Sequence, residues 1–209
     1  MRFSAMAVSL PDVPEHPNRA EFEGVLTLVD VASTRPPSGA RGHRVILTRA
    51  AALSALPSLL GMGVGFKQEW DGHDARRKCG VITEADIEGN ELKVSGYLYA
   101  KDFPEVARYL RTALPGTMGM SYELANAHVE DMRADVWRLS RATFTGAAIL
   151  LREKAAYRDT RFALKPQLCR KLAAKERLKV SGQMTERRLN RRKSEAKSGE
   201  KTQWNCRTY

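Results

Sequence analysis

A histidine and a serine stand in two short motifs whose residues suit acyl-transfer chemistry. His73 lies in Trp70-Asp71-Gly72-His73-Asp74, and Ser121 lies in Gly119-Met120-Ser121-Tyr122-Glu123. A histidine that takes the proton from a serine hydroxyl turns that hydroxyl into a nucleophile for a carbonyl carbon. The first hypothesis for this chain is therefore a serine hydrolase.

His73 has the most favourable local setting of the four histidines. Gly72 allows the backbone to turn sharply before it. Three nearby carboxylates would stabilise the imidazolium that forms when the ring accepts a proton. They belong to Glu69, Asp71 and Asp74.

The other three histidines are weaker candidates for a general base. His16 lies in a Pro-rich segment near the N-terminus, where nothing fixes its geometry. His43 has an arginine on either side within two residues, and these charges disfavour an imidazolium. His128 lies in an alternating run that fits an exposed strand position or a hydrogen-bonded core position.

Glycines before Ser121 make its motif more specific than a lone serine. Gly116 and Gly119 would let the backbone approach a substrate closely and could present N–H donors to an oxyanion. The motif is not the Gly-x-Ser-x-Gly nucleophile elbow, because residue 123 is glutamate. The motif therefore argues against an α/β-hydrolase.

Extended runs outnumber helices, and they must position both motifs. Alternating apolar and polar residues on both sides of Glu88-Gly89-Asn90 predict a hairpin over 79–99. Thr48 can cap one helix that ends near Pro57, and a second helix begins at Asp102 or Pro104. The remaining predictions are strands over 21–31, 43–47, 118–130 and 136–151, a loop over 32–42 and a Gly-rich turn over 61–66. This order predicts an α+β fold, a mainly antiparallel β-barrel core with packed helices.

The positive charge of the chain is confined to its end. The 209 residues carry a formal net charge of +11, and residues 160–209 hold 15 Lys and Arg against 4 Asp and Glu. We therefore predict a flexible N-terminal arm over 1–19, a domain over 20–165 and a basic, partly helical or disordered tail over 166–209. The tail is either a solvated extension or a segment that docks on an acidic scaffold or on nucleic acid, and we favour no nucleic-acid partner.

The cysteines and the hydropathy pattern exclude other classes. Cys79, Cys169 and Cys206 show no paired spacing, so neither a disulfide framework nor a zinc site is predicted. A reducing cytoplasm is the expected setting. No apolar stretch is long enough to span a bilayer, and no membrane partner is expected.

Several motifs in the same order along residues 21–165 resemble the prohead maturation proteases of tailed bacteriophages, whose fold is similar to the herpesvirus capsid assembly proteases. Besides the two motifs with His73 and Ser121, the resemblance rests on segments spread through the chain. These are Glu21-Phe22-Glu23-Gly24-Val25-Leu26, Gly42-His43-Arg44-Val45-Ile46-Leu47, Gly80-Val81-Ile82-Thr83-Glu84-Ala85, Asp102-Phe103-Pro104-Glu105, Phe144-Thr145-Gly146-Ala147-Ala148-Ile149-Leu150 and Lys154-Ala155-Ala156-Tyr157.

The resemblance implies an activity, its substrates and its location. Ser121 would be the nucleophile and His73 the general base of a serine endopeptidase that needs no metal or organic cofactor. Its substrates would be the major capsid protein and the scaffold of the phage, and the chain itself by autoproteolysis. It would act in the host bacterial cytoplasm, inside assembling proheads. Members of similar fold can be regulated by self-association.

The third catalytic member is where the sequence departs from the family. Related proteases place an acidic residue at the start of the last core strand, where this chain reads Phe144-Thr145-Gly146. We assign Glu153, the nearest acidic residue on that stretch, as the third member. A Ser–His dyad and a degraded prophage copy remain open, as do other orienting carboxylates: Asp71, Asp74, Glu123 and Asp135.

Two other functions compete with the protease. The missing carboxylate and the basic tail fit a catalytically inactive structural or nucleic-acid-binding phage head protein that makes its contacts through the tail. Retention of both His73 and Ser121 in Gly-flanked motifs argues against it, because a non-catalytic protein has no chemical reason to keep them together. A cellular serine hydrolase acting on small esters has no positive motif behind it.

Overall fold

A computed structural model describes residues 6–8, 10, 11, 13 and 16–166 of the chain. The part that ends at Lys165 forms one compact unit. Among the described residues, no helix has the length and apolar character needed to cross a membrane. The strands are β1 Met6–Ala7, β2 Ala20–Leu28, β3 Arg44–Leu47, β4 Gly63–Phe66, β5 Lys78–Glu88, β6 Glu91–Leu98, β7 Met118–Val129, β8 Val136–Leu151 and β9 Arg161–Leu164. The helices are α1 Arg49–Ala55 and α2 Pro104–Thr112, with short 3₁₀ turns at Leu56–Leu59 and Arg152–Lys154.

The predicted α+β class is confirmed, whereas the predicted closed barrel is wrong. The nine strands form one open sheet in the order β3-β8-β4-β5-β6-β2-β9, with β1 joined to β5 and β7 joined to β8. The β3–β8 and β4–β8 pairs are parallel, and the other pairs are antiparallel. The long strand β8 therefore holds three neighbours, and it forms the frame on which β7 is mounted.

A closed barrel would need backbone hydrogen bonds between β7 and β2, but these two strands contact each other through side chains. The sheet curls until β7 packs on β2: a Cβ built on Gly24 would lie 3.5 Å from Cγ of Met120 and still closer to its sulfur. Met120 is fully buried. Because this contact is made by a side chain, β7 and β2 stay too far apart to pair their backbones, and the sheet remains open.

The strongest sequence patterns gave the right elements. Residues 89 and 90 form the turn between β5 and β6, with Gly89 at φ +57°, and β6 pairs with β5 from Gly80 to Glu88. Thr48 caps α1, since its hydroxyl accepts a hydrogen bond from the backbone N–H of Ala51 at 3.3 Å. The predicted runs over 118–130 and 136–151 are β7 and β8.

Three short strands were not predicted: β4, β9 and, within the expected N-terminal arm, β1. Residues 61–66 were expected to form a turn, yet Gly63–Phe66 is β4 and lies between β5 and β8. Little room is left for a side chain there, since a Cβ on Gly65 would lie 3.2 Å from the carbonyl oxygen of Arg77. The four residues of β9 pair with β2, and Phe162 stacks on Phe22 with ring centroids 5.1 Å apart. Four residues are too few for an alternating pattern to stand out.

Part of the predicted N-terminal arm makes regular contacts. Met6 pairs with Ala85 and Ala7 with Glu84 on the edge of β5. Asn18 holds the chain before β2, because its side-chain oxygen accepts a hydrogen bond from the N–H of Lys101 at 2.8 Å. Of the predicted basic tail, only Pro166 is among the described residues.

Candidate active site

Strand β7 carries Ser121 and Glu123 on one face. Residues two apart in a strand point to the same side of the sheet. Across the ladder, Ser121 faces Ala148 and Glu123 faces Gly146 on β8. Small residues at both partner positions leave room above β8 for these two side chains.

His73 lies in the connection from β4 to β5, residues 67–77. The backbone of this turn is tied back on itself and to the end of β8: the N–H of Trp70 donates to the carbonyl of Lys67 at 2.9 Å, and the N–H of Leu151 donates to the carbonyl of Trp70 at 2.8 Å. Gly72 lies in open space, with nothing near a Cβ built on it. The turn therefore places His73 next to β7.

His73 and Ser121 line one cavity of about 1090 Å³. Its wall on one side is formed by β7, including Leu124 and Val129, and on the other by the loop from Arg35 to Arg41. A space of this size holds several amino-acid residues, so it suits a peptide better than a small ester. The two residues that the sequence singled out for chemistry therefore open onto a common site.

The carboxylate of Glu123 lies beside Nδ1 of the His73 ring. Nδ1 of His73 is 3.6 Å from Oε1 of Glu123, and the two side chains are 19% and 50% exposed. Nδ1 is buried and has no hydrogen-bond partner. A distance of 3.6 Å is too long for a hydrogen bond, but such contacts often shorten when a substrate binds. Nε2 is then the ring nitrogen left to meet a hydroxyl in the cavity.

Burial lowers the pKa of His73 below its ordinary value of 6.5. The nearby charge of Glu123 raises this pKa, and that of Lys78 lowers it. Burial is the largest of the three effects. A buried imidazolium loses the water that would stabilise its charge. The imidazole is therefore neutral near pH 7, the state that a general base needs.

Gly146 provides the space that the Glu123 carboxylate occupies. A Cβ built on Gly146 would lie 3.1 Å from Cδ of Glu123 and would overlap Oε2. The prohead proteases that the sequence resembles place an acidic residue at the position of 144–146, which lies in β8. In this chain the carboxylate reaches the same region from the neighbouring strand, over a residue that has no side chain.

Glu153, the third member assigned from the sequence, lies elsewhere. It is exposed in the 3₁₀ turn after β8, and it does not line the cavity. Its backbone carbonyl accepts a hydrogen bond from the guanidinium of Arg35. Glu123, which the sequence left among several alternatives, is the carboxylate that the structure brings to His73.

The other acidic alternatives contact residues other than His73, although Asp71 also lines the cavity. Asp71 forms an ion pair with Lys67 at 3.0 Å, and this bond lowers the pKa of its carboxyl. Asp74 accepts a hydrogen bond from the N–H of Arg76 at 2.9 Å. Asp135 contacts His43 only through its backbone carbonyl, at 3.4 Å.

The glycines before Ser121 have structural tasks that differ from the expected one. A Cβ on Gly119 would lie 2.7 Å from the hydroxyl of Thr160 and 3.0 Å from Cα of Arg152, so this glycine allows close packing inside the fold. Gly116 has φ +80° and forms the turn between α2 and β7.

A serine–histidine hydrogen bond occurs outside the cavity. Nδ1 of His128 lies 2.9 Å from the hydroxyl of Ser140, and both residues are exposed on β7 and β8. Neither residue lines the cavity, and no ion pair to His128 is found in the described part of the chain. The pair therefore lacks the enclosure that Ser121 and His73 share.

Within residues 6–8, 10, 11, 13 and 16–166 no group of three or more His, Cys, Asp or Glu side chains is arranged to hold a metal ion. Cys79 is buried, which raises the pKa of its thiol to about 12. No cofactor-binding residue was predicted from the sequence.

Comparison with known proteins does not identify the chain. No protein-family model matches it, and no curated protein matches it. Among solved structures it is similar to the KSHV protease, a herpesvirus enzyme, in a crystal structure with a hexapeptide phosphonate inhibitor. The sequences are 14% identical, the TM-score is 0.44, and the match covers 70% of this chain and 65% of that one. A match this weak carries no argument about activity, so membership of the prohead protease family stays a prediction.

Proposed function

We propose that this chain is a serine endopeptidase that cleaves scaffold and capsid polypeptides, and itself, during the maturation of a phage prohead. The observation that carries the catalytic part is the shared cavity of Ser121 and His73, with a carboxylate 3.6 Å behind the ring. The phage substrates rest on the ordered sequence motifs over 21–165. The cavity supports a polypeptide substrate by its size.

The proposed chemistry uses both ring nitrogens of His73. Oγ of Ser121 attacks the carbonyl carbon of the scissile peptide, and Nε2 of His73 accepts the hydroxyl proton. The carboxylate of Glu123 stabilises the imidazolium from the Nδ1 side. The tetrahedral intermediate collapses, and the leaving amine takes the proton from His73. Water, activated by the same imidazole, then hydrolyses the acyl-enzyme and regenerates Ser121.

The competing proposal is an inactive head protein that binds through its basic tail. The strongest sequence argument for it was the missing acidic residue over 144–146. That argument weakens because Glu123 supplies a carboxylate over Gly146. Burial also keeps the pKa of His73 low enough for a base, which a purely structural histidine does not require.

Co-expression with the cognate capsid and scaffold proteins tests the proposal. The full chain is expressed as the wild type, as Ser121→Ala and as Ser140→Ala, and all polypeptides are followed by intact mass. We expect cleavage in the wild type and in Ser140→Ala, and none in Ser121→Ala. Uncut masses in all three samples, with shells still formed, would favour the structural alternative.

A further inference from the structure

The turn that carries His73 contains a bulky residue in an unfavourable backbone conformation. Trp70 has φ +55°, in the left-handed region that glycine and asparagine adopt most easily. A tryptophan stays in that region only where the surrounding structure holds it, and such residues concentrate at functional sites. Trp70 precedes His73 by three residues.

The surroundings that hold Trp70 are aromatic. Its side chain is 9% exposed and stacks on Tyr109 of α2, with ring centroids 4.7 Å apart and planes inclined by 14°. On another side it meets Phe66 at the end of β4, at 5.5 Å. Phe103, just before α2, meets the edge of Phe66 at 5.9 Å. The strained turn is thus clamped between the end of β4 and one face of α2.

The polar contacts of His73 do not fix the position of its ring. In a serine protease the catalytic histidine is usually oriented by a hydrogen bond from Nδ1. Here Nδ1 has no hydrogen-bond partner, and its nearest carboxylate is 3.6 Å away. The ion pair of Asp71 with Lys67 is exposed, and exposed ion pairs add little to the stability of a fold. The position of the ring is therefore set by the backbone of its turn.

We propose that Tyr109 and Trp70 are positioning residues for His73, so that the outer face of α2 controls the geometry and hydration of the general base. Neither residue lines the cavity that Ser121 and His73 share. Tyr109 holds the Trp70 ring, Trp70 holds the turn, and the turn holds the imidazole against β7. This inference rests on the proposed function for its effect on catalysis, but not for its effect on His73 itself.

Tyr109 gives a clean test because its side chain is 40% exposed and the buried residues of α2 are Val106 and Ala107. Tyr109→Ala removes the stacking partner and leaves the buried side of the helix intact. Tyr109→Phe keeps the ring. Arg108→Ala changes an exposed neighbour on the same helix. Circular dichroism and urea unfolding show that each variant is folded.

Two readouts are measured on the full-length chain. The first is the titration of His73 by NMR with labelled histidine, its signal assigned by its loss in His73→Gln. The charges that act on this ring are Glu123 on β7 and Lys78 on β5, and none of the variants changes them. The second is the rate at which a fluorophosphonate modifies Ser121, a reaction in which Oγ bonds to phosphorus, fluoride leaves and His73 takes the proton.

In Tyr109→Ala we expect the pKa of His73 to rise towards its ordinary value, because a loosened turn admits water, and the modification rate to fall about tenfold. Tyr109→Phe and Arg108→Ala should match the wild type in both readouts. An unchanged His73 titration in Tyr109→Ala would overturn the inference. If the wild type is not modified at Ser121, the proposed function fails, while the His73 titration still decides whether α2 controls the ring.

Discussion

Replacing Glu123 by glutamine removes the negative charge nearest to the His73 ring and keeps the size of the side chain. The two groups are 3.6 Å apart, and Glu123 is half exposed. For such a pair the attraction is close to its value in water, about 1 kcal/mol at this separation. Since the imidazolium forms as the serine attacks, loss of this stabilisation lowers kcat about fivefold. It also lowers the pKa of free His73, because the Glu123 charge raises that pKa in the wild type.

The assay for Glu123→Gln is the pH dependence of kcat/KM, whose acid limb reports the pKa of the base in the free enzyme. We expect the limb to move to lower pH while the plateau falls. Glu153→Gln is the matched control: it makes the same change at the acidic residue that the sequence favoured, and both rate and limb should stay unchanged. A loss of rate in Glu153→Gln with none in Glu123→Gln would refute the assignment of the carboxylate.

Three further predictions follow from the same geometry. Gly146→Ala should lower kcat as much as Glu123→Gln, because the new methyl group displaces the carboxylate, and the double variant should show no further loss. Lys78→Gln removes a charge that lowers the pKa of His73, so the acid limb of kcat/KM should move to higher pH. His73 binds a proton more weakly in the folded than in the unfolded chain, so its contribution to stability is lost as pH falls below 6.5. Urea unfolding at about pH 7 and about pH 5 should therefore show a smaller loss of stability in His73→Gln than in the wild type.

The sequence predicted the elements around the site better than their arrangement. β7 and β8 have long extended patterns, and the hairpin of β5 and β6 has a strong turn signal at Gly89. Such local patterns specify strands reliably. Whether a sheet closes depends on contacts between distant residues, here the packing of Met120 on Gly24, and no local pattern contains them.

The carboxylate nearest to His73 differs from the one assigned from the sequence for a related reason. A search along the last core strand finds Glu153, whereas the structure places Glu123 beside His73 from the strand next to it. One signal was present in the sequence: Ser121 and Glu123 are two residues apart in a predicted strand, so they share a face. Their pairing with Ala148 and Gly146 requires the register of β7 on β8, and local patterns alone do not give it.

The aromatic contacts that hold the His73 turn could not be predicted from the sequence either. In the sequence Trp70 is noted only as a neighbour of His73, and Tyr109 lies in the helix predicted to begin at Asp102 or Pro104. Their contact joins residues from two elements that no pattern connects. The left-handed conformation of Trp70 is also contrary to the preference of its residue type, and tertiary contacts hold it there.

Identification of the residue that a fluorophosphonate modifies tests the central claim most directly. The full-length wild type, Ser121→Ala and His73→Ala are treated alike, and the modified peptide is sequenced by mass spectrometry. The account predicts a single adduct on Ser121 that is absent from Ser121→Ala and forms far more slowly in His73→Ala. An adduct on Ser140, next to His128, or no adduct on the folded wild type would contradict it.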